Sequence, residues 1–451
     1  MPTAKNQATA RPSLHGALAW FVASYGVAIV GYLALNAVAS RFLGRSSFGY
    51  FVVVITLTTV IGELALLGVH RAGLREAARL DMDAHDQLAR LRLGVRAVCL
   101  VSLPAAGVVS AAVTWGLLHG HDEQQRWELA IGVGALVMLS GHQKLWANYL
   151  RGFGQVKFAS LLEGRSGGAL VAVLQSGFLA AVWLILPGLG LTGALGAVAL
   201  GYLIPVVAAY RGVSRHWHHA PARASLGRDL RGVLGRDWRF ASGQLASYLN
   251  ANLELWMAGL LLTAVDTSLF GAAQRLSLLL VTPLTSLQVV FSPAIARLGH
   301  DKDPRQLEAL VRTGATLAAI PMLCVCVPIL VAPGAVLGIV FGSGYAGAAS
   351  VLVLLTAGSV VNVLTGLCGA TLSMTHREGV VAVVQWAGLG VRLLLGATAA
   401  IVLGVDGLGA SAGLVTAGIW VALWTAARRR VGVRTHLTLH PKVSVLRNTV
   451  S

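Results

Sequence analysis

The chain is a succession of long apolar runs separated by short polar segments. Each run has about 20 residues or more, which at about 1.5 Å per residue is enough to cross a hydrocarbon core roughly 30 Å thick. The predicted spans are 14–40, 48–69, 93–118, 127–149, 166–186, 189–210, 240–262, 269–292, 309–332, 347–374, 380–403 and 407–427. The pattern therefore predicts an all-α integral membrane protein with about twelve transmembrane helices.

The composition agrees with this prediction. Of the 451 residues, 56% are hydrophobic and only 12% are charged, and the mean hydropathy of +0.72 lies far outside the range of soluble globular proteins. The first apolar run is too long for a signal peptide and has no cleavage motif, so we expect it to be retained.

The formal net charge of +17 is distributed unevenly along the chain. Thirty of the 35 Lys and Arg residues lie in the two tails and the even-numbered loops, and three lie in the odd-numbered loops. The thirty include Arg96, Lys144 and Arg312, which lie within about five residues of a predicted span end and are counted with the adjoining loops. The other two are Arg275 and Arg392, deeper inside spans. By the positive-inside rule, both termini and the even-numbered loops are expected to face the cytoplasm. The charge is explained by topology and by attraction to anionic membrane lipids, so we predict no nucleic-acid partner.

A basic, polar segment divides the spans into two groups of six. The predicted regions are a cytoplasmic tail (1–13), a six-helix bundle (14–210), a basic linker (211–239), a second six-helix bundle (240–427) and a basic cytoplasmic tail (428–451). A shift of 222 residues places Phe48 and Gly49 on Phe270 and Gly271. This match predicts a parallel internal repeat, in which two bundles enclose a cavity near the bilayer midplane and rock around it. Such an arrangement is typical of a transporter.

Several motifs match catalytic or metal-binding patterns by letter only. The segment GRSGG (164–168) lacks the preceding strand of a nucleophile elbow, and GLGLTG (188–193) follows a helix instead of a strand. The HWHH cluster (216–219) is isolated in the basic linker, and the four cysteines lie in apolar spans. The predicted outer loops are too short to carry a catalytic domain. We therefore predict no enzyme activity, no metal and no cofactor.

Four ionisable residues inside the spans are the main candidates for function, because each is costly if it faces lipid. Arg392 and Glu254 lie near mid-span, Glu63 lies in the cytoplasmic third of its span, and Arg275 lies about seven residues below the outer surface. One interpretation is internal pairing, for instance of Glu254 with Arg275. In the other, the arginines bind an anionic headgroup and the glutamates couple transport to an ion gradient.

Uncharged polar residues occur in the same spans. Among them, Gln274, Asn36, Tyr248 and Asn252 are candidates to bind a substrate rich in hydroxyl groups, such as a sugar. Hydrogen bonding between helices is the alternative for each of them.

Four stretches carry a family resemblance. These are LNAVASRFLGRSSFGYF with LALLGVHRAGLREAAR, then LFGAAQRLSLLLVTPLTSLQVVFSPAIARL, and then LGIVFGSGYAGAASVLVLL. Together they resemble the bacterial polysaccharide exporter family of Wzx-type lipid-linked oligosaccharide flippases. Near the predicted eighth span, Gly271, Ala273, Arg275 and Pro293 occupy the family's motif positions, although Ala272 stands where the family has an aromatic residue. Before the tenth span, the matching residues are Gly342, Tyr345 and Ala348.

The resemblance implies a cationic cavity between two bundles that moves an undecaprenyl-diphosphate-linked glycan from the cytoplasmic to the periplasmic leaflet. Arg275 is similar in position to an arginine of the related lipid II flippases. Those relatives have two further spans and a more basic first span, so the resemblance favours an O-antigen, capsule or exopolysaccharide repeat unit. A glycan polymerase, a chain-length regulator, and a coupling ion or the membrane potential are the further partners that it implies.

Two other functions remain open at the level of the sequence. A cation-coupled multidrug or metabolite exporter of the same architecture is the first alternative, although its expected acidic site in the first span is absent, and only Asn36 is found there. The second is a non-transporting membrane scaffold, in which the polar residues within the spans would serve folding alone.

Overall fold

The computed structural model describes residues 14–77, 85–117, 122–162, 168–215, 245–300 and 303–442, and these residues are helical apart from short connections. The HWHH cluster, most of GRSGG and most of the predicted linker lie outside the described residues.

The described α-helices are numbered in chain order. Those before the linker are α1 (Leu14–Leu64), α2 (Val69–Ala77), α3 (His85–Ala97), α4 (Leu103–Leu117), α5 (Glu123–Gly152), α6 (Val156–Leu162), α7 (Ala169–Ile185) and α8 (Gly190–Ser214). Those after it are α9 (245–261), α10 (Ala264–His300), α11 (Pro304–Val331), α12 (Pro333–Phe341), α13 (Ala349–Thr365), α14 (Cys368–Met374) and α15 (Glu378–Arg430). A π-helical segment, Val98–Ser102, joins α3 to α4.

Six helical segments among the described residues are long and apolar enough to cross a membrane. They are Gly26–Leu64, Leu91–Gly116, Pro187–Ser214, Pro304–Val331, Ser343–Thr365 and Glu378–Arg430. The helix α7 is apolar but shorter. The number of twelve spans stays a prediction, as does the internal repeat.

Two of these segments are interrupted by a glycine. Within α1, Gly44 has a φ of 69°, and within α15, Gly404 has a φ of 64°, which is a conformation that glycine adopts at little cost. Each break falls between two predicted spans. Tyr32 and Thr56, on opposite sides of Gly44, both contact the guanidinium of Arg275. A straight helix would hold them about 36 Å apart, so α1 turns back at Gly44.

We define the first half as residues 14–215 and the second half as residues 245–442. The hairpin end of the molecule comprises Gly44, residues 186–190, residues 262–263, residues 332–348 and Gly404. The basic end comprises residues 153–155, Ser214, residues 299–303, residues 375–377 and residues 430–442.

One apolar cluster joins the two halves toward the hairpin end. Phe48 of the first half packs against Phe341 and Tyr345 of the second, with ring centroids 6.1 and 5.8 Å apart. The Arg41 guanidinium donates hydrogen bonds to the carbonyl oxygens of Val340 (2.6 Å) and Ile339 (2.8 Å). The sequence pair Phe48 and Phe270, which suggested a repeat, is fully buried in this same cluster.

Toward the basic end, the described apolar clusters belong to one half each. One cluster centres on Leu66, Leu145 and Tyr149 of the first half. Two others, around Leu310 and Leu423, are made only of residues of the second half. The described apolar clusters therefore join the two halves toward the hairpin end and belong to one half each toward the basic end.

The chain after α15 packs against the second half. Thr435 is fully buried, and its hydroxyl donates a hydrogen bond of 2.7 Å to the carbonyl oxygen of Thr365. Thr438 and Thr316 exchange two hydrogen bonds, and the Lys442 amide donates to the Thr313 hydroxyl. Residues 431–442, expected to be part of a basic tail, thus form a C-terminal segment that binds α11 and the end of α13.

Candidate functional site

Arg275 lies between the two halves. It follows the first residue of α10 by eleven positions, about 16 Å along the helix. Only 6% of the residue is exposed. Its guanidinium donates a hydrogen bond of 3.1 Å to the Thr56 hydroxyl and lies 5.2 Å from the centre of the Tyr32 ring. The side chain therefore points into the first half and does not reach toward the membrane surface.

Arg392 is held within the second half. Its guanidinium forms an ion pair with Glu254 of α9 and donates a hydrogen bond of 3.0 Å to the Thr416 hydroxyl. Both charged residues are buried. The sequence suggested Arg275 as the partner of Glu254, and that pairing is wrong. The α9 helix places Glu254 against α15 instead, so the charge of Arg392 is neutralised in place.

Glu63 is the centre of a buried cluster that also joins the halves. One carboxylate oxygen pairs with Lys144 of α5, and the other accepts a hydrogen bond from the Tyr248 hydroxyl of α9. The His70 imidazole lies 3.6 Å from the same carboxylate, and the Lys144 ammonium is 5.1 Å from the Tyr248 ring centre. Two of the predicted site residues, Glu63 and Tyr248, are therefore in direct contact.

The other three predicted site residues, Asn36, Asn252 and Gln274, do not form a single cluster. The amides of Asn36 and Asn252 donate to the carbonyl oxygens of Tyr32 and Tyr248 on their own helices. Gln274 donates a hydrogen bond of 3.3 Å to the carbonyl oxygen of Ala251, which links α10 to α9. In the described residues, the buried Gln274 carbonyl oxygen has no hydrogen-bond partner.

The buried charges do not balance. Glu63 is paired with Lys144 and Glu254 is paired with Arg392. In the part of the chain that the structure describes, Arg275 has no carboxylate within ion-pair distance, and its Nε atom donates no hydrogen bond. A buried cation without a counter-charge is unfavourable unless an anion or water reaches it. The arrangement therefore suits a site that receives an anion at the interface between the halves.

Two residues that contact the buried charges, Lys144 and Thr56, were not predicted from the sequence. Lys144 was counted with the basic loops, although it lies well inside α5. The polar run SGHQK (140–144) within an apolar span was the signal that could have identified it. The contact of Thr56 with Arg275 has no comparable signal, because threonine is common in membrane helices and usually bonds to its own backbone.

Residues 13–299 match the family model described as polysaccharide biosynthesis protein. No curated protein sequence shows a significant match to the chain.

Solved structures show what the fold is similar to. A MATE structure in complex with MaL6 has 16% sequence identity to this chain and a TM-score of 0.63. The match covers 95% of this chain and 99% of the MATE chain. An inward-facing multidrug resistance MATE family transporter of the MOP superfamily has 16% identity and a TM-score of 0.58, covering 92% and 98%. A MOP superfamily transporter from Pyrococcus furiosus, described as having a binding pocket of reverse polarity, has 16% identity and a TM-score of 0.54. The match covers 96% of this chain and 99% of the transporter chain.

The fold is thus shared with multi-pass membrane transporters over nearly the whole chain. The family model covers more than half of the sequence, including the first half and most of α10 with Arg275. The chain therefore belongs to the family of polysaccharide biosynthesis proteins and has the fold of the MOP superfamily transporters.

Proposed function

We propose that the protein is a flippase that moves a polyprenyl-diphosphate-linked oligosaccharide from the inner to the outer leaflet of a bacterial cytoplasmic membrane. The oligosaccharide would be an O-antigen, capsule or exopolysaccharide repeat unit. Arg275 attracts the diphosphate between the halves, while the polyprenyl chain stays in the lipid. Movement follows alternating access, in which the two halves rock about their shared contacts.

The observation that carries this proposal is the unbalanced charge of Arg275. A guanidinium is always protonated and binds phosphate oxygens through two parallel hydrogen bonds. Arg275 is buried at the interface of the halves with an Nε donor that is unused in the described structure. A diphosphate would supply the missing counter-charge and accept these hydrogen bonds. The neighbouring Gln274 oxygen, also unpaired there, would accept a hydrogen bond from a sugar hydroxyl.

The Glu63 cluster is proposed to couple transport to an ion gradient. Tyr248 and Glu63 belong to different halves, so their hydrogen bond breaks when these segments separate. Protonation of Glu63 would remove its charge attraction for Lys144 and would weaken the hydrogen bond that it accepts from Tyr248. A proton taken up at this cluster would therefore favour separation of the two helices.

Export of a cationic drug or metabolite is the second candidate, because the structural neighbours include MATE transporters. A cationic substrate needs a carboxylate that is free to bind it. Both buried glutamates described here already hold a cation, and the buried charge that remains is positive. This balance favours an anionic substrate over a cationic one.

A deletion strain tests the proposal. We expect it to lose surface polysaccharide and to accumulate the lipid-linked precursor on the cytoplasmic leaflet. A plasmid copy should restore export, whereas the Arg275→Ala variant should not, at an equal amount of protein in the membrane. The Arg305→Ala variant is the matched control, since Arg305 is an exposed arginine at the start of α11, and it should restore export fully.

Two results would contradict the proposal. Full export by Arg275→Ala would show that the guanidinium does not contact the diphosphate. Normal surface glycan in the deletion strain, together with greater sensitivity to cationic drugs, would instead establish the exporter function.

A further inference from the structure

A cavity of about 780 Å³ opens on a lateral face of the first half, toward the basic end. It is lined by Arg92, Val95, Arg96, Cys99, Leu100, His142, Trp146, Val206, Val207, Tyr210 and Ser214. All of these residues belong to the first half, on α3, α5, α8 and the π-helical segment. The cavity is therefore distinct from the interface that contains Arg275, and the proposed function makes no use of it.

The inner part of the cavity is apolar and open to the side. Leu100 and Val207 are 58% and 40% exposed, although they lie on segments that are long and apolar enough to span a membrane. Side chains exposed at such positions suit contact with hydrocarbon. Nearer the end of α8, Trp146 and Tyr210 pack edge to face, with ring centroids 5.4 Å apart. An occupant with an apolar chain fits this part of the cavity.

The rim at the basic end is cationic. Arg92 and Arg96 are four residues apart and lie on the same face of α3, and both line the cavity. Ser214, the last residue of α8, lines it at the same level. Helix ends, arginines and an aromatic pair together mark the depth at which lipid headgroups lie. The two positive charges suit a phosphate there.

A change in helix type forms part of the cavity wall. The chain changes from α-helix to π-helix at Val98–Ser102, and two residues of that segment, Cys99 and Leu100, line the cavity. The Ser102 hydroxyl donates a hydrogen bond of 2.6 Å to the carbonyl oxygen of Ala65, which fixes the segment against the α1–α2 connection. Single π-helical turns inside α-helices are frequent at functional sites.

We propose that this cavity binds an anionic phospholipid. The phosphate lies against Arg92 and Arg96, and one acyl chain runs along Leu100 and Val207 toward the bilayer centre. The polyprenyl-diphosphate substrate carries a similar phosphate group, but its proposed route lies between the halves. The cavity faces the surrounding lipid and takes no lining residue from the second half, so its occupant is a lipid of the bulk membrane.

Native mass spectrometry of the full chain tests this proposal. Purified protein is titrated with phosphatidylglycerol and with phosphatidylcholine, and the bound lipids are counted. The unmodified protein should retain phosphatidylglycerol preferentially. The Arg92→Gln/Arg96→Gln variant should lower this preference by roughly 10- to 30-fold, because each cation near an anionic surface contributes a factor of several. The Arg305→Gln/Arg429→Gln variant removes two exposed arginines of the same end and should change the preference by less than about twofold.

A second variant tests the shape of the cavity independently of charge. Val207 is 40% exposed and lines the cavity, so Val207→Trp fills it without disturbing the core. This variant should lower the retention of both lipids, even if the arginine variant fails to fold. An unchanged preference for phosphatidylglycerol in the folded arginine variant, or unchanged retention of both lipids in Val207→Trp, would overturn the proposal. Displacement of phosphatidylglycerol by an equimolar polyprenyl diphosphate would also overturn it, because the site would then belong to the substrate.

Discussion

Arg275 and Arg392 are two buried arginines in opposite electrostatic surroundings. Each is 6% exposed, and each donates one hydrogen bond to a threonine hydroxyl on another helix segment, at 3.1 and 3.0 Å. Arg392 also forms an ion pair with Glu254. Arg392, Glu254 and Thr416 all lie in the second half. Arg275 has only Thr56 and the Tyr32 ring of the first half in the described structure. Burial alone therefore does not identify a functional cation; its partners do.

The largest effect is expected at the paired arginine. Glu254→Gln would leave Arg392 buried without a counter-charge, which costs about 3–5 kcal/mol in comparable buried pairs. We expect a large loss of thermal stability of the purified protein and a lower amount in the membrane. Fluorescence-detected size-exclusion chromatography after heating measures both.

The double variant Glu254→Gln/Arg392→Met is the control for this prediction. It removes both charges, so it should recover most of the lost stability. If Glu254→Gln is as stable as the unmodified protein, the ion pair does not neutralise Arg392, and the contrast between the two arginines fails.

A smaller effect of opposite sign is expected at the unpaired arginine. Arg275→Met replaces a buried cation without a carboxylate by an apolar side chain of similar length. The variant should gain stability on the order of 1–2 kcal/mol, while polysaccharide export is lost, because a site kept ready for a ligand is stabilised by its removal. The same heating assay, combined with the surface glycan measurement, tests it. A variant that is both unstable and inactive would mean that Arg275 serves folding.

The smallest effect distinguishes the two threonines. Thr56→Val and Thr416→Val each remove one hydrogen bond to an arginine, which costs about 1 kcal/mol. Both variants should lose a similar small amount of stability. Only Thr56→Val should slow export, since it frees the guanidinium of Arg275 from its position between the halves. Equal export rates in the two variants would remove the functional distinction.

Much of the fold could be predicted from the hydrophobic pattern. The breaks at Gly44 and Gly404 fall between predicted spans, because an apolar run of more than 50 residues must turn back to stay within a membrane. The pattern could not give the start of α10, since the polar residues Asp266, Thr267 and Ser268 belong to this helix, which begins before the apolar run. Length and hydropathy alone also leave the number of spans a prediction.

The partners of the site residues could not be predicted, for a physical reason. Glu254 and Arg392 are separated by more than a hundred residues, and only the packing of α9 against α15 brings them together. Hydropathy indicates which residues are in the membrane but not which helices are neighbours. Lys144 was assigned to a loop by charge counting, whereas its pairing with Glu63 depends on the contact between α1 and α5.

The C-terminal segment has a consequence for biosynthesis. Residues 431–442 bind Thr313 and Thr316 of α11 and Thr365 at the end of α13. The partner residues follow by 122 and 129 positions for α11 and by 70 for α13, so the packing of both helices is completed late in translation. The apolar cluster around Leu66, Leu145 and Tyr149 takes no residue from the second half, so it can assemble while the second half is still being translated. A ribosome that stalls after α15 would therefore leave a chain in which this cluster is packed, while α11 and the end of α13 still expose the surface that binds residues 431–442.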